Sequence, residues 1–171
     1  MADNVISGYA VRFNDITTIG QSFRERISPG AFTESLKRND IVALIGHDTG
    51  RVLGRVSAGT LTLREDRIGL WFSLDVDKST PSGQEALGTV GRGDVKGCSF
   101  AGQFLAEDWQ DGGGRLPLRT VTEIDLYEIT LTAFPAYETT DASVRKENNA
   151  SAARERLLRK AEAAMRLRGI H

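Results

Sequence analysis

The sequence predicts a mostly β domain with flanking helices, an α+β fold whose strands close wholly or partly into a barrel, followed by a helical tail. Three observations carry this reading. Short runs of β-branched and aromatic residues alternate with polar turns through the first two thirds of the chain. The segments TLTLR (60–64) and IGLWFSLDV (68–76) lie either side of an acidic turn and read as a hairpin. The segment TVTEIDLYEITLTAF (120–134) has the β-branched and aromatic content of a long strand.

The elements follow in order. Ile6 to Phe13 (ISGYAVRF) reads as a strand, and Asp15 to Gly20 as a polar loop. Ser28-Pro29-Gly30-Ala31-Phe32 makes a turn into a short helix, because Phe32 and Leu36 are spaced for one helical face. Asp40 to Gly46 (DIVALIG) is an apolar run bounded by polar residues, the pattern of a buried strand. Val52 to Ser57 is a further strand, and the hairpin comes next. A helix is expected after Pro81, within Thr80 to Val90, and then a strand rich in small residues, Val95 to Phe104. Asp111-Gly112-Gly113-Gly114 is a hairpin tip leading to the long strand.

Beyond Pro135 the composition changes. Residues 1–141 are expected to form one domain. Residues 142–171 are expected to form a polar linker and a basic amphipathic helix (150–168), rich in Ala, Arg, Leu and Glu. A chain of 171 residues with 40% hydrophobic and 26% charged residues can fill one core. Its formal net charge of -1 gives no global pull toward nucleic acid or a membrane surface. The single cysteine, Cys98, excludes an intramolecular disulfide and a CxxC metal or redox pair. The opening MADNVISGYAVRF has no basic stretch followed by an apolar run, so no signal peptide is expected. No stretch approaches the roughly 18 apolar residues of a membrane-spanning helix.

Two histidines narrow the search for chemistry. His171 is the last residue. His47 follows the apolar run and precedes Asp48-Thr49-Gly50, where it could be a general base, a metal ligand or a polar cap. Zinc is disfavoured, since no second internal histidine or cysteine pair supplies matching ligands. A histidine base needs a hydroxyl or thiol nucleophile and an acid to orient it. Gly97-Cys98-Ser99-Phe100-Ala101-Gly102 offers both nucleophiles on opposite faces of a regular strand. Small neighbours would leave the Ser99 hydroxyl accessible, but they equally suit a strand packed closely against its partner. Cys98 reads as a small buried hydrophobe. For the acid, Glu123, Asp125 and Glu128 all lie on the long strand. In a regular strand Glu123 and Asp125 share one face and Glu128 takes the other, and periodicity does not choose among them.

Taken in order, GYAVRFND, ERISPGAFTESL, IVALIGHD with RVLGRV, GTLTLREDRIGLWFSLDV, VKGCSFAGQF and DLYEITLTAFPAY resemble the prohead maturation proteases of tailed bacteriophages. The resemblance covers roughly residues 5 to 140, and SPGAF is its most distinctive piece. It implies a serine protease related in fold to the herpesvirus assembly protease, a β-barrel with surrounding helices. Carried over by motif, it implies His47 as base, Ser99 as nucleophile and Glu128 as the orienting acid, with no metal or organic cofactor. The herpesvirus relatives use a second histidine as the third member, which this chain lacks. Where the family often has asparagine before the His-Asp pair, this chain has Gly46. The implied substrates are the scaffold protein, a scaffold-like segment of the major capsid protein, and the protease itself, in the assembling prohead in the host cytoplasm. Nucleic acid and membrane are not expected partners. Two other readings are a non-catalytic capsid-assembly module of the same fold and a cysteine hydrolase built on Cys98.

Overall fold

The computed structural model describes residues 4–144. The expected helical tail, with His171, lies outside the described residues. Ten strands and two helices follow one another as β1 (Val5–Arg12), β2 (Thr17–Ile19), β3 (Phe23–Ile27), α1 (Thr33–Arg38), β4 (Val42–Ile45), β5 (Asp48–Arg55), β6 (Leu61–Glu65), β7 (Gly69–Asp75), α2 (Pro81–Arg92), β8 (Gly97–Gln110), β9 (Leu118–Thr132) and β10 (Asp141–Val144).

The strands form two sheets. One is antiparallel, in the order β10-β1-β7-β6. The other runs β2-β3-β9-β4-β5, with β8 paired to β9. The expected barrel does not close. Closure requires each strand to have two neighbours, whereas β8 pairs only with β9 and β2, β5, β6 and β10 are sheet edges.

The core lies between the sheets. Leu70, Phe72 and Leu74 alternate inward on β7, as the period of two requires, and meet Ile6, Ala10 and Val11 of β1. Ile124, Leu126, Ile129 and Leu131 of β9 complete it from the second sheet. Each such side chain contributes roughly 1.5–3 kcal/mol by leaving water. Helix α2 adds Ala86 and Val90. It starts where expected: the Thr80 hydroxyl caps the Gly83 N–H, Pro81 takes the first turn, and Gly93 ends the helix with a left-handed φ of 81°.

Strand β9 is the spine. Strand β8 runs antiparallel along one of its edges, from Gly97 opposite Thr132 to Gln110 opposite Leu118. The other edge is shared by two parallel strands, β3 over 118–121 and β4 over 128–131. The SPGAF turn and α1 fill the gap between them. Ile124 N–H donates to the Ala31 carbonyl (2.8 Å), Leu126 N–H to Ser35 Oγ (3.0 Å), and Asn39 donates to the Leu126 carbonyl (2.9 Å). The most distinctive sequence motif thus satisfies backbone groups that neither strand reaches.

Several strands differ from expectation, among them β10, which pairs with β1 over 141–144 where a polar linker was expected from residue 142. The predicted loop at 15–20 contains β2, and β3 was not anticipated, because FRERI does not alternate apolar with polar. Its inward residue Glu25 is only 3% exposed and is held by Arg119 and by the Tyr137 hydroxyl. A buried charge is tolerated when it is paired and hydrogen-bonded, and here it disguises a strand. Strand β8 also extends to Gln110, well past Phe104, on mostly exposed residues.

Candidate active site

His47 lies on a turn rather than at a simple strand end. Ile45 pairs with Asp48, so Gly46-His47 is a two-residue hairpin loop between β4 and β5. Both residues have left-handed φ, 59° at Gly46 and 60° at His47. That is the requirement of a type I′ turn, whose twist matches that of the flanking strands. Glycine and asparagine are the residues that enter this region most readily, so Gly46 meets the turn's requirement at its first position. His47 is an uncommon occupant of the second position. The turn is held by β9: Gly46 N–H donates to the Leu131 carbonyl (3.0 Å) and His47 N–H to Thr130 Oγ1 (2.9 Å).

Glu128 sits in the last third of β9, opposite Ala101 on one side and Val42 on the other. Its Oε1 lies 2.5 Å from His47 Nδ1, and its side chain is 10% exposed against 46% for His47. The imidazole therefore has one nitrogen against a buried carboxylate, and Nε2 makes no hydrogen bond with the described residues. Glu128 Oε2 is also buried, with no hydrogen-bond partner among the described residues.

Ser99 is on β8, directly across from Thr130. Cross-strand partners share a face, so Ser99 and Ala101 lie on the face that carries Thr130 and Glu128. Strands β8, β9 and β4 are consecutive neighbours, which sets the serine, the carboxylate and the histidine turn in that order across the sheet. Adjacent strands are about 4.8 Å apart, so the serine and the histidine approach from strands roughly 10 Å apart. Thr130 lies between them and contacts the backbone of one directly. Sequence reasoning missed Thr130: a threonine inside TLT reads as ordinary strand content.

The face expected for Glu128 is revised by an irregularity. Ala101 pairs with Glu128 but Gly102 pairs with Leu126, which leaves Tyr127 as an extra residue on β9. Leu126 and Ile129 consequently both enter the core, while Asp125 and Glu128 share the opposite face. Asp125 is nonetheless engaged elsewhere. Hydrogen bonds from Asn39 (2.8 Å) and Arg38 (3.1 Å) hold its carboxyl below the usual carboxylate range. Glu123 has no bond to His47 among the described residues.

Cys98 faces the other way. It is fully buried in the core beside Leu131, and burial pushes its thiol well above the ordinary cysteine value. A thiol that stays protonated is a poor nucleophile. The small residues around it have packing reasons too: a Cβ at Gly97 would meet Pro135 at 2.5 Å and one at Gly102 the Asp125 carbonyl at 2.4 Å.

A hydroxyl and a histidine-carboxylate pair on one sheet face are the groups with which hydrolases carry out acyl transfer. The chain belongs to the caudovirus prohead serine protease family, which matches residues 1–155. Membership makes its role that of a protease in capsid maturation, acting in the assembling capsid within the host cell, among capsid and scaffold proteins. No match to the chain was found among the curated proteins.

Proposed function

We propose that this chain is a serine endopeptidase with Ser99 as nucleophile, His47 as general base and Glu128 as the carboxylate that orients the histidine. The observation that carries the reading is the 2.5 Å contact between His47 Nδ1 and Glu128 Oε1, beside a serine on the same sheet face. With Nδ1–H donating to Glu128, Nε2 is the nitrogen that accepts a proton. His47 Nε2 takes the Ser99 proton as Oγ attacks the peptide carbonyl, and the acyl-enzyme forms as His47 returns that proton to the departing amine. Water, deprotonated by the same nitrogen, then releases the acyl group and restores Ser99. Glu128 stabilises the imidazolium at both stages.

The substrates are the scaffold protein, or a scaffold-like segment of the major capsid protein, and further copies of the protease itself, with which it could pair as a homodimer. No cofactor takes part in this scheme. The test is co-expression with the cognate capsid or scaffold protein, with and without Ser99→Ala, followed by mass-spectrometric mapping of new termini. New termini that depend on Ser99 are expected. The same termini from a folded Ser99→Ala protein would overturn the assignment.

A further inference from the structure

Strand β8 has β9 along one edge, and its other edge pairs with no strand among the described residues. Cys98, one residue before Ser99, is fully buried, and its N–H points toward that second edge, where it donates to Thr140 Oγ1 at 3.2 Å. A buried N–H without an acceptor is costly, and no strand ladder supplies one here. Thr140 is itself only 7% exposed, and its hydroxyl is used twice. It donates to the Tyr137 carbonyl at 3.0 Å, which fixes where its proton lies and leaves a lone pair for Cys98. The Thr140 N–H closes the same turn on the same carbonyl at 3.2 Å.

The rest of the segment after β9 holds the same stretch of β8. Ala142 N–H donates to the Lys96 carbonyl at 2.9 Å. The Pro135 ring fills the space that a side chain at Gly97 would need. The Tyr137 ring stacks on Phe100, with centroids 6.1 Å apart and 26° between the planes, and its hydroxyl donates to buried Glu25. Residues 96, 97, 98 and 100 are each held by this segment, and the residue they flank is Ser99. The histidine turn is tied to β9 through Leu131 and Thr130. The distance from Ser99 to His47 therefore depends on how firmly β8 is held against β9, and on the second edge that hold comes from residues 135–142.

We propose that Thr140 is a positioning residue for Ser99: its hydroxyl fixes the backbone one residue before the nucleophile, on the edge of β8 that no described strand covers. The proposal rests on Ser99 being the nucleophile. Its consequence is kinetic, because a misplacement of about 1 Å between reacting groups costs on the order of 100-fold in rate.

The test is labelling of the full chain with a fluorophosphonate, in which the serine Oγ attacks phosphorus and fluoride leaves. The limiting rate and the half-saturating concentration are measured for wild type, Thr140→Val, Thr140→Ser, Val90→Ala and Ser99→Ala, alongside unfolding in urea. Thr140→Val keeps the shape of the side chain and removes both hydroxyl bonds. It is expected to lower the limiting rate by roughly 10- to 100-fold, with the half-saturating concentration within about twofold of wild type. Thr140→Ser keeps the hydroxyl and should restore the rate. Val90→Ala trims the core side of α2 and should lower stability without slowing labelling. Thr140→Ala removes the same hydroxyl in a smaller side chain, and the same loss of rate is expected of it if Thr140→Val does not fold. Wild-type labelling by a folded Thr140→Val or Thr140→Ala protein would overturn the positioning role and leave Ser99 in place. So would an equal slowing in Val90→Ala, which would make the effect one of general destabilisation. Labelling that persists in Ser99→Ala would instead overturn the nucleophile assignment and the role of Thr140 with it.

Discussion

His47 Nδ1 meets Glu128 Oε1 at 2.5 Å across a sequence separation of 81 residues, joining a left-handed hairpin turn to the longest strand. One partner is half exposed and the other almost fully buried. The carboxylate is therefore fixed by its strand, and the histidine is fixed by a turn that is itself bonded to that strand.

The turn should trade stability for chemistry. A left-handed backbone costs an ordinary residue roughly 1–2 kcal/mol and glycine essentially nothing. His47→Gly should therefore unfold in urea with a stability about 1 kcal/mol greater than His47→Ala, and neither should cleave. Equal stabilities would mean that the turn holds no strain.

The two carboxylates on the site face should separate cleanly. Glu128→Gln is expected to lower kcat by roughly 10³- to 10⁴-fold without unfolding the protein, the scale seen when a triad acid becomes an amide. Asp125→Asn should leave kcat within a few-fold and lower only the melting temperature, since Asp125 serves α1 through Arg38 and Asn39. A folded Asp125→Asn protein with the larger loss of turnover would move the orienting role to Asp125.

Thr130 should behave as a positioning residue. Thr130→Val removes the acceptor of the His47 N–H and leaves a donor unpaired, a cost of about 1–3 kcal/mol. It is expected to lower kcat more than it raises KM, with Thr130→Ser restoring both. A Thr130→Val enzyme whose kcat is unchanged despite lower stability would confine the residue to packing.

Cys98 should be silent in chemistry but visible in a titration. Its thiol stays protonated in the fold, whereas the unfolded thiol ionises near pH 8.5. Above that value the folded state binds the extra proton, so stability should fall as pH rises from about 8.5 toward 10. Cys98→Ala should flatten that fall and retain cleavage. Rapid thiol labelling of the native protein with loss of activity would make Cys98 the nucleophile.

Much of this was legible before the structure. The 60–76 hairpin, the helix after Pro81 and the long strand are local signals, and β6, β7, α2 and β9 follow them. His47 could be singled out because the chain has only two histidines, and Ser99 by the small residues around it and the resemblance of its motif. What was hidden depends on pairing between distant segments. Glu25 makes β3 look like a polar loop until Arg119 is placed opposite it. The open edge of β8 cannot be seen from strand content, which is why a barrel was expected. Nor does a run of residues reveal that one of them, Tyr127, has no partner across the strand.

That extra residue makes the site a matter of counting. Everything on β9 beyond Tyr127 is out of phase by one step with what precedes it. Were Tyr127 paired like its neighbours, the strand would turn inside out: Glu128 and Thr130 would rotate into the core, and Ile129 and Leu131 would take their places before the histidine. One unpaired residue separates a strand that delivers a carboxylate to an imidazole from a strand that buries an unanswered charge. Changes of side chain along this segment can be absorbed where they occur, but a slip of register cannot, because the serine opposite and the histidine turn alongside both take their positions from the same pairing.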